Sequence, residues 1–201
     1  MVHTFLTGLC VLLAILSPII YIVSIVRGAT KPHRVTRFAL MIVLFLTAAS
    51  SYAAQGVTSA FILASIFAVQ SVVVFALSIR KGVGGRSRSD IVCLAVVFLG
   101  ILGWWLSGNA FVGLLYFVMA DCAAFIPALC KTWQEPDTEG PWTYVLGVCS
   151  ALCGMVADGL APFQMYLILV GCAMLVCIKR EWLSRFVPFQ NTQPQQAFEQ
   201  E

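Results

Sequence analysis

The sequence has few charged residues. Asp, Glu, Lys and Arg make up 10% of its 201 residues, whereas 60% are hydrophobic. A soluble domain carries about 25% charged residues, so this chain could not cover itself with a wettable surface. The composition excludes a water-soluble enzyme. The length suffices for several membrane crossings, because each transmembrane helix needs ~20 mostly apolar residues.

The chain also lacks the common motifs of metal and nucleotide sites. It contains no CxxC and no GxxxxGK[ST], and its two histidines, His3 and His33, lie outside the apolar segments. The eight cysteines fall inside apolar runs as small packing residues; a metal at Cys149 and Cys153, which share a helix face, is the less favoured alternative. We expect no metal, no cofactor and no nucleic-acid partner.

What the chain does contain is a series of seven apolar segments. We place them at about 5–26, 38–54, 57–79, 91–106, 111–130, 142–156 and 160–178. The first lacks a basic flank and is long for a signal peptide, so we expect it to be retained. The sequence predicts an all-α integral membrane protein with seven transmembrane helices.

The placement of positive charge predicts the orientation. All twelve Lys and Arg residues fall between segments one and two, between three and four, after five, or after seven. The positive-inside rule therefore puts the N-terminus outside and the C-terminus in the cytoplasm. The Gly-rich basic loop 82–88 is interpreted as a topology signal near anionic headgroups. The acidic loop residues Glu135, Asp137 and Glu139 are expected to be solvated.

A weak internal repeat is also present. Pro18 and Pro32 have the same spacing as Pro127 and Pro141, at an offset of 109 residues. Each second proline opens a helix, where its missing N–H costs nothing. Coincidence is one explanation; the other is a duplicated three-helix unit, in parallel orientation, joined by a linker helix. The predicted divisions are a first triple-helix bundle at 1–81, a linker loop and helix at 82–109, a second bundle at 110–180, and a cytoplasmic tail of disordered composition at 181–201.

Two stretches resemble the PQ-loop family. Ser17-Pro18-Ile19-Ile20-Tyr21 resembles its first copy, and Ala124-Phe125-Ile126-Pro127-Ala128 resembles its second. Ile19 and Ala128 stand where the family's motif has glutamine. Seven spans in a 3+1+3 plan are similar to the SWEET facilitators and the wider PQ-loop group. The resemblance implies a transporter that works by alternating access.

Asp121 is the candidate for proton coupling or solute binding. It lies near the middle of segment five, where an ionised carboxylate costs about 2.5–3.5 kcal/mol on insertion scales, so it must face the bundle interior. A structural alternative is a hydrogen bond between helices, for example to Ser50 or Tyr21. One deep carboxylate and no deep histidine offer no acid–base or nucleophilic pair, so we expect no enzyme.

Three more side chains are candidates for binding the solute: Tyr21, Gln70 and Gln164. A buried amide needs hydrogen-bond partners and can bind hydroxyl or amide groups, although it can equally tie helices together. Pro18 and Pro127 each remove a backbone hydrogen bond inside a helix, so they are candidate hinges, with static kinks as the alternative.

These features lead us to expect a carrier of a small polar solute in a lipid bilayer, with solute bound between the two bundles. Proton coupling and a homo-oligomer both stay open. The bacterial cytoplasmic membrane is the expected location. One alternative is a seven-helix ligand or sorting receptor, but the absence of basic residues from the segments counts against an anionic ligand. The other is a structural subunit of a larger membrane complex.

Overall fold

The computed structural model describes residues 2–30, 32, 34–82, 88–136 and 139–186, with only the backbone described for 88–90, 92–93 and 180–186. These ranges form seven α-helices and no strand, which confirms the all-α prediction. The helices are α1 (Val2–Val26), α2 (Arg34–Gln55), α3 (Ser59–Lys81), α4 (Arg88–Ser107), α5 (Ala110–Gln134), α6 (Pro141–Asp158) and α7 (Pro162–Phe186).

Each predicted apolar segment coincides with one helix, and the differences lie at the polar ends. The helix α2 begins at Arg34, four residues before the apolar run, and α7 continues to Phe186. That end of α7 extends into the range we expected to be a disordered tail; residues 187–201 lie outside the described residues. Hydropathy detects only the apolar part of a helix, so it misses turns made of charged residues.

Within the described residues, five helices are long and apolar enough to cross a membrane. They are α1, α2, α3, α5 and the part of α7 from Pro162 to Lys179, while Leu94–Ser107 of α4 is a shorter apolar helix. Large apolar side chains point outward along the bundle; Trp105 is 74% exposed and Phe98 65%. Alanine, serine and threonine fill many of the buried positions, as in membrane proteins, where small residues let helices approach closely.

Short connections make neighbouring helices antiparallel. The α2–α3 turn ends at Thr58, whose hydroxyl accepts a hydrogen bond from the Phe61 N–H at 3.4 Å. The α4–α5 turn ends at Asn109, whose side chain accepts from the N–H of Phe111 at 2.9 Å. Both residues satisfy backbone donors that a helix start leaves without an intrahelical partner.

The helices pack as two triples with the same internal arrangement. In the first, α3 packs against both α1 and α2; in the second, α7 packs against both α5 and α6. Between the triples, α1 packs along α6 and α2 packs along α5. The two triples are equivalent in these contacts. If α1 is exchanged with α5, α2 with α6 and α3 with α7, each of the helix contacts named above becomes another contact of the same set. The remaining helix, α4, packs on α5.

The bundle has two chemically different ends. At one end, the Lys81 ammonium donates to the Val26 carbonyl at 2.6 Å and the Arg34 Nε donates to the Ser78 carbonyl at 3.1 Å, so α1, α2 and α3 meet there. We call this the basic end. At the other end the start of α1 meets the end of α6, where His3 contacts Asp158; we call this the His3 end.

Candidate functional site

A cavity of about 100 Å³ lies among six of the helices, in the half of the bundle nearer the basic end. Its walls come from the C-terminal halves of α1 and α5, the middle and C-terminal half of α3, and the N-terminal halves of α2, α6 and α7. Most of the surface is apolar, which is typical of a small-molecule site with a few orienting polar groups. Those polar groups are Ser17, Tyr21, Arg37, Gln70, Ser71, Thr143, Tyr144 and Tyr166.

Arg37 is the cationic group of this cavity. One Nη donates a hydrogen bond to the Tyr21 hydroxyl oxygen, and the guanidinium carbon lies 4.7 Å from the centre of the Tyr21 ring. Its Nε is buried and has no hydrogen-bond partner among the described residues. Arg37, Leu40 and Leu44 follow the helical spacing of one face of α2, which explains why all three line the cavity.

Beside this pair lies the carboxylate of Glu139, which is only 7% exposed. It accepts a hydrogen bond from the Tyr144 hydroxyl at 3.0 Å and lies 3.5 Å from the Lys131 ammonium. Glu139 interacts electrostatically with Arg37, but among the described residues no carboxylate lies within 4.0 Å of Arg37. The expectation of a solvated Glu139 is therefore wrong, because two neighbouring helices provide it with partners. Asp137 lies outside the described residues.

Asp121 is fully buried in α5, and neither carboxylate oxygen has a hydrogen-bond partner among the described residues. The proposed hydrogen bond to Ser50 or Tyr21 is therefore wrong; Tyr21 pairs with Arg37 instead. Asp121 is not part of the cavity wall. It interacts electrostatically with Tyr166, which does line the cavity.

The two candidate glutamines lie in different places. Gln70 lines the cavity, and its Oε1 is buried without a hydrogen-bond partner in the described part of the chain. Gln164 is buried toward the His3 end, where its Nε2 donates to the Ser59 hydroxyl at 2.9 Å. The structure thus brings Tyr21 and Gln70 into one cavity and assigns Gln164 a contact between helices.

The His3 end is held together by polar contacts among four helices. Asp158, beyond the predicted segment 142–156, lies 2.8 Å from the His3 Nε2 and accepts the Ser59 backbone N–H. Ser59 also donates to the Gly154 carbonyl at 3.1 Å. We call His3, Ser59, Asp158 and Gln164 the His3-end network. Burial acts to raise the pKa of Asp158, but hydrogen bonds from Ser59 and His3 outweigh it and lower the pKa.

Sequence reasoning missed Arg37, since it assigned every basic residue to a loop. The start of α2 at Arg34 makes that expectation wrong. The signal was present: Arg37 continues the spacing of Leu40 and Leu44 by one turn toward the N-terminus. Tyr144 and Tyr166 were also missed, because an aromatic residue in an apolar run gives no sign of the cavity it lines.

The two candidate hinge prolines lie inside unbroken helices. α1 runs through Pro18, which adjoins the cavity residue Ser17, and α5 runs through Pro127, two residues after the cavity residue Phe125. Both prolines are thus placed where a bend in either helix would alter the cavity walls. Their role as hinges stays a prediction.

The helical fold, the five long apolar helices and the small buried residues together define a multi-pass membrane protein. Comparison of the chain with protein-family models, with curated proteins and with solved structures found no match.

Proposed function

We propose that this protein is a membrane transporter that moves a small polar solute by alternating access. The observation that carries the proposal is an asymmetry within the bundle. A cavity with polar groups occupies the half nearer the basic end, while the His3-end network ties the helices together in the other half. This arrangement is expected of a carrier in a conformation whose binding site is accessible from only one side of the membrane.

The packing of the two triples supports the proposal. Two equivalent triples that meet along α1–α6 and α2–α5 could rock against each other around a site between them, as in transporters built from repeats. The site residues belong to both triples: Tyr21, Arg37 and Gln70 come from the first, and Tyr144 and Tyr166 from the second. We propose that the fold is the PQ-loop or SWEET-like 3+1+3 arrangement.

We further propose that all seven helices cross the membrane, with the basic end in the cytoplasm. Arg27, Arg34, Arg80 and Lys81 are exposed at that end, which the positive-inside rule assigns to the cytoplasm. Seven crossings put the N-terminus outside, so the cavity lies in the cytoplasmic half and the His3-end network lies on the outer side. A bacterial cytoplasmic membrane is consistent with this orientation.

Asp121 is the proposed proton-coupling group. An ionised carboxylate with no partner, buried deep in a membrane protein, is costly, so burial favours its neutral form in this conformation. A conformation that admits water beside Tyr166 would let Asp121 release its proton. Gain and loss of the proton in two conformations would couple the proton gradient to solute movement.

The receptor alternative gains support from Arg37. A receptor for an anionic ligand needs a cation in its cavity, and Arg37 is such a group. A receptor binds the same ligand as a carrier would, but does not move it across the bilayer. The distinguishing measurement is therefore uptake.

The test is uptake into proteoliposomes of pooled sugars, amino acids, nucleosides and small carboxylates, with and without an inward proton gradient. Wild type is compared with Asp121→Asn, and Glu135→Gln, an exposed acid at the end of α5, is the control variant. We expect gradient-stimulated uptake that Asp121→Asn loses and Glu135→Gln keeps. An uptake rate that changes neither with the proton gradient nor with Asp121→Asn would support the carrier and contradict proton coupling. Binding without uptake by folded protein would favour the receptor.

A further inference from the structure

The environment of Arg37 indicates the chemical class of the solute. Resting on the proposed function, we propose that this carrier transports a small carboxylate whose anionic group binds to the Arg37 guanidinium in the cavity. The proposal deepens the function above, since that function leaves the solute's charge open.

First, Arg37 has no directly paired carboxylate among the described residues. It lies in a cavity whose walls are mostly apolar, and its hydrogen bond and its cation–π contact are both with the neutral phenol of Tyr21. The nearby Glu139 is engaged by Tyr144 at 3.0 Å and by Lys131 at 3.5 Å. A charge removed from water is costly unless it is paired and hydrogen-bonded. An anionic solute would supply the missing partner.

The second step is the geometry of the donors. A guanidinium is a planar fork of five N–H donors that matches a carboxylate with two parallel hydrogen bonds. Tyr21 takes one Nη donor, and the Nε is buried away from the cavity, so a solute would bind to the remaining Nη donors. The cation–π contact with the Tyr21 ring holds the guanidinium in place. Arg37 therefore has donors available in a fixed orientation.

The third step concerns size. A cavity of about 150 Å³ accepts benzene, which has six heavy atoms, so one of about 100 Å³ encloses roughly four. The cavity is also partly open, so it accommodates a carboxylic acid of two carbons, and an acid of three carbons would extend into its open side. Gln70 also lines the cavity, and a side-chain amide can hydrogen-bond a hydroxyl group on the solute, which would favour a hydroxy acid over the plain acid.

The test compares each acid with its neutral amide. Purified protein in detergent is titrated with acetate against acetamide and lactate against lactamide, at constant ionic strength in chloride, and binding is read from the shift of Tm and from calorimetry. We expect the acids to bind and the amides to bind at least tenfold more weakly. Uptake of the same labelled acids into proteoliposomes is measured in parallel.

The matched variants are Arg37→Gln and Arg34→Gln. Both remove one arginine from the first two turns of α2, but Arg34 is exposed and donates to the Ser78 carbonyl outside the cavity. We expect Arg37→Gln to weaken acid binding at least tenfold and Arg34→Gln to leave it unchanged. Arg37→Lys keeps the positive charge but removes the planar set of guanidinium donors, so this variant should bind the acids weakly. It provides the test if Arg37→Gln does not fold.

The outcomes separate this proposal from the transporter proposal. Acid binding that depends on Arg37 without any uptake would uphold the carboxylate site and reject transport. Arg37-independent uptake of neutral solutes would uphold transport and overturn the carboxylate proposal. Equal binding of acids and amides, or no binding of either by folded wild type, would also overturn it.

Discussion

The guanidinium of Arg37 and the phenol of Tyr21 make two contacts with each other. The arginine donates a hydrogen bond to the tyrosine hydroxyl, and its Cζ lies 4.7 Å from the centre of the tyrosine ring. The two residues come from different helices, α1 and α2, and Tyr21 is 2% exposed. The contact therefore fixes a cation at the junction of two helices in the cavity wall, where a solute can reach it.

The Tyr21→Phe substitution separates these two contacts. It keeps the ring under the guanidinium but removes the hydrogen bond that orients Arg37, an interaction worth about 0.5–1.5 kcal/mol. We expect the affinity for small carboxylates to fall about 2- to 10-fold, as measured by calorimetric titration. Tyr52→Phe, at an exposed tyrosine outside the cavity, is the control and should bind as wild type does. An unchanged affinity in Tyr21→Phe would mean that the ring alone positions Arg37.

A second prediction concerns the close packing at Gly154. A Cβ atom there would lie 2.8 Å from the Gln164 Nε2, 3.0 Å from the Ser59 hydroxyl and 3.1 Å from the Cys10 sulfur. Overpacking of this kind costs about 1–3 kcal/mol, so Gly154→Ala should lower Tm. Gly8→Ala is the control, since a Cβ at Gly8 has nothing within 4 Å. Equal Tm values for the two variants would show that the neighbours of Gly154 move aside freely.

The third prediction is a pH dependence of the His3 end. Burial acts to raise the pKa of Asp158, but hydrogen bonds from Ser59 and His3 lower it in the folded state. The group therefore adds stability above its unfolded pKa of ~3.9, and that stability is lost as the pH falls through the lower folded value. The difference in Tm between wild type and Asp158→Asn should be greatest near neutral pH and should shrink in acid.

The control for that experiment is Gly8→Ala, which changes no titratable group and adds a Cβ with nothing within 4 Å. Its Tm difference from wild type should not follow the pH profile of Asp158→Asn. A constant difference between wild type and Asp158→Asn down to pH 3 would contradict the role of the ionised Asp158 in the His3-end network.

The fourth prediction tests the two prolines as hinges. Replacing Pro18 or Pro127 with alanine restores a backbone donor inside α1 or α5, so the helix should resist bending. We expect slower uptake by each variant with unchanged solute affinity. Pro141→Ala is the matched control, because Pro141 stands at the first position of α6, where no intrahelical bond is lost. Wild-type uptake in Pro18→Ala and Pro127→Ala would identify both prolines as static.

Local sequence patterns predict the seven helices and the burial of Asp121. Each helix is detected locally, because the free energy of moving an apolar run out of water depends on the residues in that run. The same reasoning requires Asp121 to be buried inside the bundle, as it is. It could not tell that Asp121 would lack a hydrogen-bond partner, since partners come from other helices.

Packing between the helices determines which residues form the cavity. Arg37 belongs to it because α2 begins one turn before its apolar run, and because α1 presents Tyr21 to the guanidinium. Gln164, which is also polar and is fully buried, lies at the other end because α7 meets Ser59 there. These placements depend on packing between helices far apart along the chain, which no local pattern of hydropathy or charge encodes.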